Sequence, residues 1–424
     1  SGNTRITILE YSQTIGTDTK SDHGTTDVST GTGSKDTDMA YDPDTNQIAI
    51  VYREGSSGYL KLGTLAANNT ISFGSASTWA SSNPENLNVL YDPDNDKIVV
   101  VYSENGYIYA RAGTVSGTGI DSWGTAVNLT WQNNRTEDDE LEVVYDTTNN
   151  KFIIAYRNIQ TNYLNRLYAC AFSVSGTTVT WGTPYLVHGY NSHYIKMAFD
   201  TDLGKALITF RSITGSNTRG RRMVIYISSG TTLTSNGTAY DYDGNHDVKG
   251  HDTCYDPASK RFFTVGTQSS NSDKAFLYYH WITDSDNSVY SPGNNTTNFA
   301  STDVHNDEAI NWSVVPLGSS GKIVAVGKNS DQGNEPYVYL FQTMSSNPNS
   351  SATNVIGFAP SAINDGATGT INCAGNTVDN QSGLTIAAKY YIQNDGTLGL
   401  SSAGKLSGGI ALSSSKLLIN VESF

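Results

Sequence analysis

Short apolar runs separated by polar turns recur along the first 340 residues of the chain. The clearest runs are QIAIVYR (47–53), KIVVVY (97–102), KFIIAYR (151–157), KALITFR (205–211) and KRFFTVG (260–266). Runs of this length are typical of buried strands and are too short for helices. Each is followed by a segment such as YIYARAGTV (107–115), in which apolar and polar residues alternate as in a half-buried strand. The pattern predicts repeated antiparallel meanders.

An aromatic residue followed by Asp precedes each apolar run. The pairs are Tyr41-Asp42, Tyr91-Asp92, Tyr145-Asp146, Phe199-Asp200 and Tyr255-Asp256, and their aspartates stand 50, 54, 54 and 56 residues apart. A period of about 50 residues is that of one four-stranded propeller blade. An Asp at the first position of a turn accepts hydrogen bonds from amides two residues on, so the phrase predicts a tight turn.

The repeats predict an all-β fold, a six-bladed β-propeller with four-stranded antiparallel blades over residues 1–344. The blades start near residues 36, 86, 140, 194, 250 and 308; the sixth is degenerate and lacks a clear fourth strand. An isolated strand, Thr4–Tyr11, opens the chain. We expect residues 4–11 to complete the sixth blade, because pairing the first strand with the last blade would remove two exposed edges.

The composition changes near residue 345. Residues 345–351 read SSNPNSS, which predicts a linker at 345–354. Residues 355–424 contain short strands separated by Gly and Ser and are predicted to form a small all-β C-terminal module. A module of about 70 residues is near the lower limit for an independent core, so we expect it to lean on the propeller or on a copy of itself.

Composition and charge exclude some classes of function. The net charge of −14, with only 16% charged residues, argues against nonspecific binding to nucleic acid. No segment approaches about 18 apolar residues, so no membrane insertion is expected, and no signal peptide is visible. Cys170 and Cys254 fall in predicted strands of different blades, and we expect both to be buried thiols.

Several clusters of polar residues could carry chemistry. Asp42-x-Asp44-x-Asn46 has oxygen spacing like a calcium loop, but the remainder of such a loop is missing, so a structural turn is favoured. Arg53, Arg157 and Arg211 recur at equivalent positions, which indicates pairing with acids of neighbouring turns. The predicted channel-facing residues are Asp36, Asp38, Asn86, Asn88, Glu140, Glu142, Tyr194, Lys196 and Asp252. A glycosidase is compatible with these acids, but they are scattered around the ring, and we predict no enzyme, catalytic residue, metal or cofactor.

The candidate ligand-binding residues are aromatic and basic. Trp79 and Trp131 fall in loops beyond predicted fourth strands, where exposed rings could stack on sugars. Arg219, Arg221 and Arg222 form the one basic cluster of the chain and could bind a sulfated or phosphorylated glycan. The alternatives are ordinary packing for the tryptophans and a charged, soluble edge strand for the arginines. The candidate recognition loops are Asn158–Arg166, Ile213–Arg222 and Gln268–Ala275.

The order of segments near the C-terminus carries a resemblance to a known family. The segments are Gly357–Ile363, Asp365–Ile371, Gln381–Thr385, Lys389–Leu398 and Ala411–Ile419. Their order resembles the C-terminal module of tail-fibre-like and other virion structural proteins of aquatic tailed bacteriophages, where it often follows YDP-type repeats. The specific part covers residues 355–419 and carries over no active-site residue.

The resemblance implies a protein of the virion surface, displayed extracellularly as part of the adsorption apparatus. The expected function is multivalent attachment to a glycan or receptor of the host-cell surface, with other virion proteins and further copies of the chain as partners. Two alternatives remain open. One is a propeller glycosidase or depolymerase acting on surface polysaccharide, and the other is a decoration or filament protein that binds no receptor.

Overall fold

The chain forms two compact units, Ser1–Leu340 and Phe341–Phe424, close to the predicted boundary at residue 344. The computed structural model describes residues 5–14, 17–29, 35–66, 70–130, 140–160, 165–215, 217–235, 237, 239–242, 247–268, 274–282, 289–290, 297–298, 312–318, 321–329, 335–342, 357–358, 372–373, 375–379, 381–392, 398–400 and 407–419. All regular elements in these ranges are strands. The same ranges hold no helix with the length and apolar character needed to cross a bilayer. The predicted linker at 345–354 lies outside the described residues.

The N-terminal unit begins with a hairpin and continues as six antiparallel meanders, called sheets 1 to 6. The hairpin pairs β1 (Arg5–Thr14) with β2 (Thr17–Asp27). Sheet 1 contains β3 (Lys35–Asp42), β4 (Gln47–Glu54), β5 (Ser57–Leu65), β6 (Ile71–Phe73) and β7 (Ser77–Ala80). Sheet 2 contains β8 (Glu85–Asp92), β9 (Lys97–Glu104), β10 (Tyr107–Ser116), β11 (Gly119–Trp123) and β12 (Val127–Asn128).

Sheets 3 and 4 share one long strand. Sheet 3 contains β13 (Leu141–Asp146), β14 (Lys151–Asn158), β15 (Arg166–Ser175), β16 (Thr178–Trp181) and the first half of β17 (Tyr185–Asp200). Sheet 4 contains the second half of β17, β18 (Lys205–Thr214), β19 (Asn217–Ser229), β20 (Thr232–Ser235) and β21 (Tyr240–Asp241). Sheet 5 contains β22 (Val248–Asp256), β23 (Arg261–Gln268), β24 (Lys274–Ile282), β25 (Val289–Tyr290) and β26 (Thr297–Asn298). Sheet 6 contains β27 (Ser313–Pro316), β28 (Lys322–Asn329) and β29 (Glu335–Gln342).

The six sheets are arranged around a common axis. Within each sheet, the first, second and third strands pair in sequence order. Residues from the first-strand region of every sheet line a single cavity. The largest apolar clusters each join two successive sheets, as where Val89 and Val100 of sheet 2 pack with Val51 of sheet 1. The predicted all-β fold is therefore confirmed, and the sheets have the radial arrangement of a β-propeller.

The aromatic–Asp phrase forms the predicted turn and also joins neighbouring sheets. Each phrase Asp ends the first strand and accepts amide hydrogen bonds, as Asp146 Oδ1 does at 2.9 Å from both Thr148 and Asn149. The Tyr hydroxyl donates to the preceding sheet's turn. Tyr91 reaches Asp44 (3.2 Å), Tyr145 reaches Asp94, and Tyr255 reaches Asp202 (3.0 Å). At the junction between sheets 3 and 4, Phe199 stands where these other junctions have the Tyr donor, and Thr148 stands where they have the Asp acceptor.

Glycines in the outer strands allow adjacent sheets to approach closely. A Cβ on Gly74, Gly124 or Gly182 would lie 1.9, 2.1 or 2.6 Å from the backbone oxygen of Thr118, Thr177 or Thr231 in the next sheet. These glycines follow the aromatic residue of the fourth-strand phrases FG and WG. A Gly recurs at this position because a residue with a Cβ would prevent the close backbone contact between sheets.

The N-terminal strand differs from the prediction. Residues 4–11 were expected to complete the sixth blade, but β1 pairs with β2 in a sheet of two strands. A hairpin closed by two intervening residues costs less chain entropy than pairing with a strand over 300 residues away. The segment after the hairpin lies on sheet 1: Val28 packs against Ile50 and Tyr52, and Lys61 Nζ donates to its carbonyl oxygen at 2.6 Å.

The outer faces of sheets 6 and 1 differ from the junctions between successive sheets. We compare the first-strand residue that lies three positions before the Asp of the aromatic–Asp phrase. In sheets 2 to 5 and at the equivalent position of sheet 6 this residue is buried: Val89, Val143, Met197, Thr253 and Val314. The equivalent Met39 of sheet 1 is 64% exposed. On sheet 6, Val315 is 50% exposed, and Val324 and Val326 are half-buried. These apolar faces thus lack the close packing that the other junctions have.

The C-terminal unit consists of short strands, as its sequence indicates. One pair joins β30 (Gly357–Phe358) to β31 (Asn372–Cys373). A five-stranded sheet has the order β32 (Thr377–Val378), β36 (Leu417–Ile419), β35 (Ser407–Ala411), β33 (Lys389–Ile392) and β34 (Leu398–Gly399). Its small core contains Val378, Leu384, Tyr390, Ala411, Leu417 and Ile419.

Two methionines at equivalent positions test the difference between junctions. Met197→Asp is expected to destabilise the protein by about 3–5 kcal/mol, because it places a charge in a packed apolar junction. Met39→Asp is expected to cost about 0.5 kcal/mol or less, because its side chain is already exposed. Urea denaturation of both variants measures the difference. Equal, large losses would show that Met39 is packed as Met197 is.

A double-mutant cycle tests the hydroxyl–carboxylate pair across a junction. Phe199→Tyr and Thr148→Asp together would supply the pair that the junction between sheets 3 and 4 lacks. We expect a favourable coupling of about 0.5–1.5 kcal/mol in the free energy of unfolding. The cycle is measured by thermal or urea unfolding of the two single variants and the double variant. Strict additivity would show that the matched residues do not interact.

Candidate functional site

The two faces of the N-terminal unit carry different connections. One, here called the turn face, carries the turns from first to second strands, which are four residues long after each phrase Asp in sheets 1 to 5. The opposite loop face carries the connections from second to third strands and from each sheet to the next. These vary from Gly55-Ser56 and Asn105-Gly106 to residues 159–165 and 269–273. Binding residues commonly lie on loops that vary over a constant scaffold.

All three candidate recognition loops of the sequence belong to the loop face. Asn158–Arg166, Ile213–Arg222 and Gln268–Ala275 each connect a second strand to a third strand. Residues 161–164, 216 and 269–273 of these loops lie outside the described part of the chain. The hairpin of β18 and β19 is described almost completely, and its paired strands extend to Thr214 and Asn217.

A cavity of about 390 Å³ lies on the axis of the N-terminal unit. It is lined mainly by the beginnings of the first strands, which places it towards the loop face. The predicted channel residues Asp36, Asp38, Asn86, Asn88, Glu142, Tyr194, Lys196 and Asp252 all line it. Glu140 does not; its side chain is buried, and Oε1 lies 3.2 Å from His193 Nδ1.

In sheets 1, 2, 3 and 5, the residue four positions before the Asp of the aromatic–Asp phrase contacts the first strand of the next sheet. Asp38 Oδ2 accepts a hydrogen bond from the amide of Val89 at 2.8 Å, and Asp252 Oδ2 accepts one from Val314 at 2.8 Å. Asn88 Nδ2 donates to the Leu141 carbonyl oxygen at 3.3 Å. The Glu142 carboxylate lies 3.3 Å from Lys196 Nζ. The polar ring of the cavity therefore links successive sheets.

Burial changes the acidity of these carboxyls. Removal from water raises the pKa of Glu142 to about 7, opposed by the nearby Lys196 ammonium and reinforced by Asp252 and Asp38. Burial likewise raises the pKa of Asp38 and of Asp252, although backbone amides that donate to them lower it in part. The three carboxyls belong to sheets 1, 3 and 5, and Asp38 and Asp252 accept backbone hydrogen bonds.

The recurring arginines have the predicted structural role, but their partners are elsewhere than expected. Arg53 Nη2 lies 3.0 Å from Asp36, and Arg157 Nε lies 3.8 Å from Glu140. Arg211 makes a bidentate pair with Asp247, at 2.6 and 2.8 Å. These acids precede or begin first strands at the loop face, whereas pairing with acids of neighbouring turns was expected.

The tryptophan prediction is wrong for Trp79. Its side chain is 1% exposed and packs edge-on against Tyr102 at 4.9 Å, between sheets 1 and 2. The ring lies over Gly58, where a Cβ would come within 2.4 Å of it. Strand β7, which carries Trp79, pairs with β5 through an irregular register, and this pairing turns the ring inward. Trp131 lies outside the described residues.

The basic cluster divides into two parts. Arg219 and Arg221 contact the same carboxylate, Asp241, at 2.6 and 2.9 Å, and remain partly exposed. Arg222 is buried, its Nη1 lies 3.3 Å from His280 Nδ1, and burial lowers its pKa to about 10. The prediction that Arg222 binds a ligand is therefore wrong. Side chains alternate between the two faces of β19, and that of Arg222 points into the unit.

The strand that carries the arginines is not an edge strand. β19 pairs with β18 on one side and with β20 and β21 on the other. The role of Asp241 could not be predicted from the sequence, because β21 is only two residues long. Its position becomes clear from the register, in which Asp241 stands opposite Arg221.

Metal and thiol chemistry find no support in the part of the chain that the structure describes. No group of three or more His, Cys, Asp or Glu side chains there is placed to hold a metal ion. Cys170 and Cys254 are buried free thiols, as predicted, and burial raises the pKa of Cys170 to about 12. Neither is set up as a nucleophile, because the thiolate is the reactive form.

Comparisons with known proteins give only structural similarities. No protein-family model and no curated protein matches the sequence. The fold is similar to Sqt1 of Chaetomium thermophilum (12% identity, 81% of this chain and 77% of that chain, TM-score 0.47). It is also similar to a putative 6-phosphogluconolactonase of Bacteroides fragilis (12% identity, 77% of this chain and 86% of that chain, TM-score 0.47). A third similar structure is the Hadza microbial sialidase Hz136 (10% identity, 71% of this chain and 64% of that chain, TM-score 0.41). Similarity at this level supports no conclusion about function.

Glu142→Gln is expected to change how stability depends on pH. The folded pKa of about 7 lies above the ordinary value of 4.5, so the folded protein holds this proton where the unfolded chain has lost it. The contribution to stability is complete below pH 4.5 and is lost as the pH rises through about 7, on the order of 1–3 kcal/mol. Urea unfolding from pH 4.5 to 8 should show the wild type losing stability relative to Glu142→Gln. Parallel curves would contradict the raised pKa.

Proposed function

We propose that the chain is a non-catalytic attachment protein of a virion surface, which binds a host-surface glycan or receptor through its loop face. Six meanders around one cavity support a six-bladed propeller as the scaffold, with a loosely packed junction between sheets 6 and 1. The resemblance of residues 355–419 to virion proteins supports the location. The C-terminal unit would join the chain to other virion proteins or to further copies, which would make attachment multivalent.

The difference between the two faces carries this proposal. The turn face repeats the same short turn, held by Asp–amide hydrogen bonds and by Tyr hydroxyls from the next sheet. The loop face varies in length from sheet to sheet and surrounds the mouth of a polar cavity. A constant scaffold that presents variable connections on one side is suited to recognition.

The second candidate is a glycosidase acting on surface polysaccharide, and one observation favours it. Glu142 lies in a sugar-sized polar cavity, and its pKa of about 7 suits a general acid near neutral pH. Against this candidate, Glu142 is paired with Lys196, and Asp38 and Asp252 accept backbone hydrogen bonds. We therefore rank it below attachment.

Binding to cell-envelope preparations tests both candidates. The purified chain is expected to be retained on lipopolysaccharide, capsule or cell-wall material from at least one of a panel of aquatic bacteria, without release of reducing ends. Replacing residues 159–165 by Asn-Gly, the connection that sheet 2 uses, should weaken retention at least about tenfold, because it removes loop-face contacts. The exposed turn-face variant Pro43→Ser should bind as the wild type does.

Three results would contradict the attachment proposal. They are no retention on any preparation, equal retention of the loop-replaced protein, and equal weakening by Pro43→Ser. Release of reducing ends by the wild type, lost in Glu142→Gln, would replace attachment by the glycosidase.

A further inference from the structure

We propose that the loop-face end of sheet 4 is a binding site for an acidic sugar, through its carboxylate or sulfate group. The pocket there has a volume of about 210 Å³ and is lined by Ser212, Thr214, Asn217, Arg219 and Arg221, here called the arginine pocket. This inference rests on the proposed attachment function and names the class of ligand and its position.

The charge of the arginine pocket is positive in an acidic protein. Arg219 Nη1 and Arg221 Nε contact opposite oxygens of Asp241, so one carboxylate is shared by two guanidinium groups. These contacts use one nitrogen of each guanidinium, and each group carries five N–H donors. The side chains remain 32% and 25% exposed. A net charge of about +1 remains, in a chain whose total is −14.

The surrounding side chains are those that bind sugars. Register pairs Ser212 with Arg219 and Thr214 with Asn217. The Thr214 hydroxyl and the Asn217 amide therefore stand beside the guanidinium groups, whereas Ser212 is buried. Hydroxyls and amides can both donate to and accept from sugar hydroxyls. His188 supports the pocket from below, with Nε2 2.8 Å from Ser212 Oγ. It is neutral at pH 7, because burial and Arg221 lower its pKa to about 4.

An exposed aromatic ring borders the same region. Tyr190 is 54% exposed, and its ring centroid lies 5.4 Å from that of His188. Aromatic rings stack on the apolar faces of sugars. The combination of a cationic pocket, hydroxyls and a ring favours a single acidic sugar unit over a polyanion such as nucleic acid, which the acidic remainder of the chain would repel.

Binding of defined sugars by matched variants tests the site. The probes are sialyllactose, 6-sulfogalactose and neutral lactose, each immobilised, which separates carboxylate from sulfate recognition. The wild type is expected to bind at least one acidic probe and not lactose, and to bind more weakly as NaCl is raised. Arg219→Gln/Arg221→Gln should weaken binding at least about tenfold, because it removes the charge-assisted hydrogen bonds.

The control removes two positive charges from the opposite face of the same unit. Lys151→Gln/Lys205→Gln, at the turn-face ends of β14 and β18, should bind within about twofold of the wild type. Tyr190→Ala leaves the ion pairs in place and should weaken binding several-fold without lowering the melting temperature. If the arginine variant does not fold, Tyr190→Ala alone decides, and wild-type affinity in it would overturn the site.

The outcomes separate this site from the attachment function. Retention on envelope preparations with no preference for acidic over neutral sugars would overturn the site and leave attachment standing. Binding of acidic sugars with no retention on any preparation would support the site and contradict attachment. Equal weakening by the lysine control would show a general charge effect and overturn the site.

Discussion

The N-terminal unit depends on the apolar packing of each sheet against the next. Each large apolar cluster in the described residues spans two neighbouring sheets: Val51 with Val100, Val99 with Ile154, and Ile153 with Ile208. A single four-stranded meander has no core of its own, so its stability comes from its neighbours. The polar contacts at both ends of the first strands then fix the position of each sheet. At the turn face these are Tyr hydroxyls, and in the cavity they are Asp, Asn and Glu side chains that reach the following sheet.

The sequence predicted the features that repeat. The apolar second strands, the Asp-capped turns and the cavity-lining positions follow from local chemistry and a period of about 50 residues, and the structure contains all three. Features set by non-local pairing could not be predicted in this way. Trp79 is buried because β7 returns to β5 over Gly58, and Arg222 is buried because its side chain faces His280 of sheet 5. The N-terminal strand has two possible partners, and the hairpin, which is closer in sequence, is the one that forms.

The candidate sites differ in how their charges are used. In the cavity, acids and Lys196 serve mainly to connect sheets. Burial raises the pKa of Glu142 to about 7 and also raises the pKa of Asp38 and of Asp252. At the end of sheet 4, Asp241 holds two guanidinium groups side by side at the surface without neutralising both. The first arrangement supports the scaffold, whereas the second leaves hydrogen-bonding capacity directed at solvent. This contrast is why we propose sugar binding at the end of sheet 4 and not in the cavity.

The matched hydroxyl and carboxylate at the sheet junctions limit how the gene can change. Donor and acceptor belong to different repeats: Tyr91 donates to Asp44, and Tyr255 donates to Asp202. Thr148 and Phe199 occupy the matching positions in the third and fourth repeats. If recombination moved the third repeat before one that carries Tyr, Thr148 would offer that hydroxyl no carboxylate. If it moved the fourth repeat behind one that carries Asp at this position, Phe199 would offer that carboxylate no hydroxyl. Although the repeats share one architecture, the third and fourth therefore cannot exchange places with the others without loss of this contact.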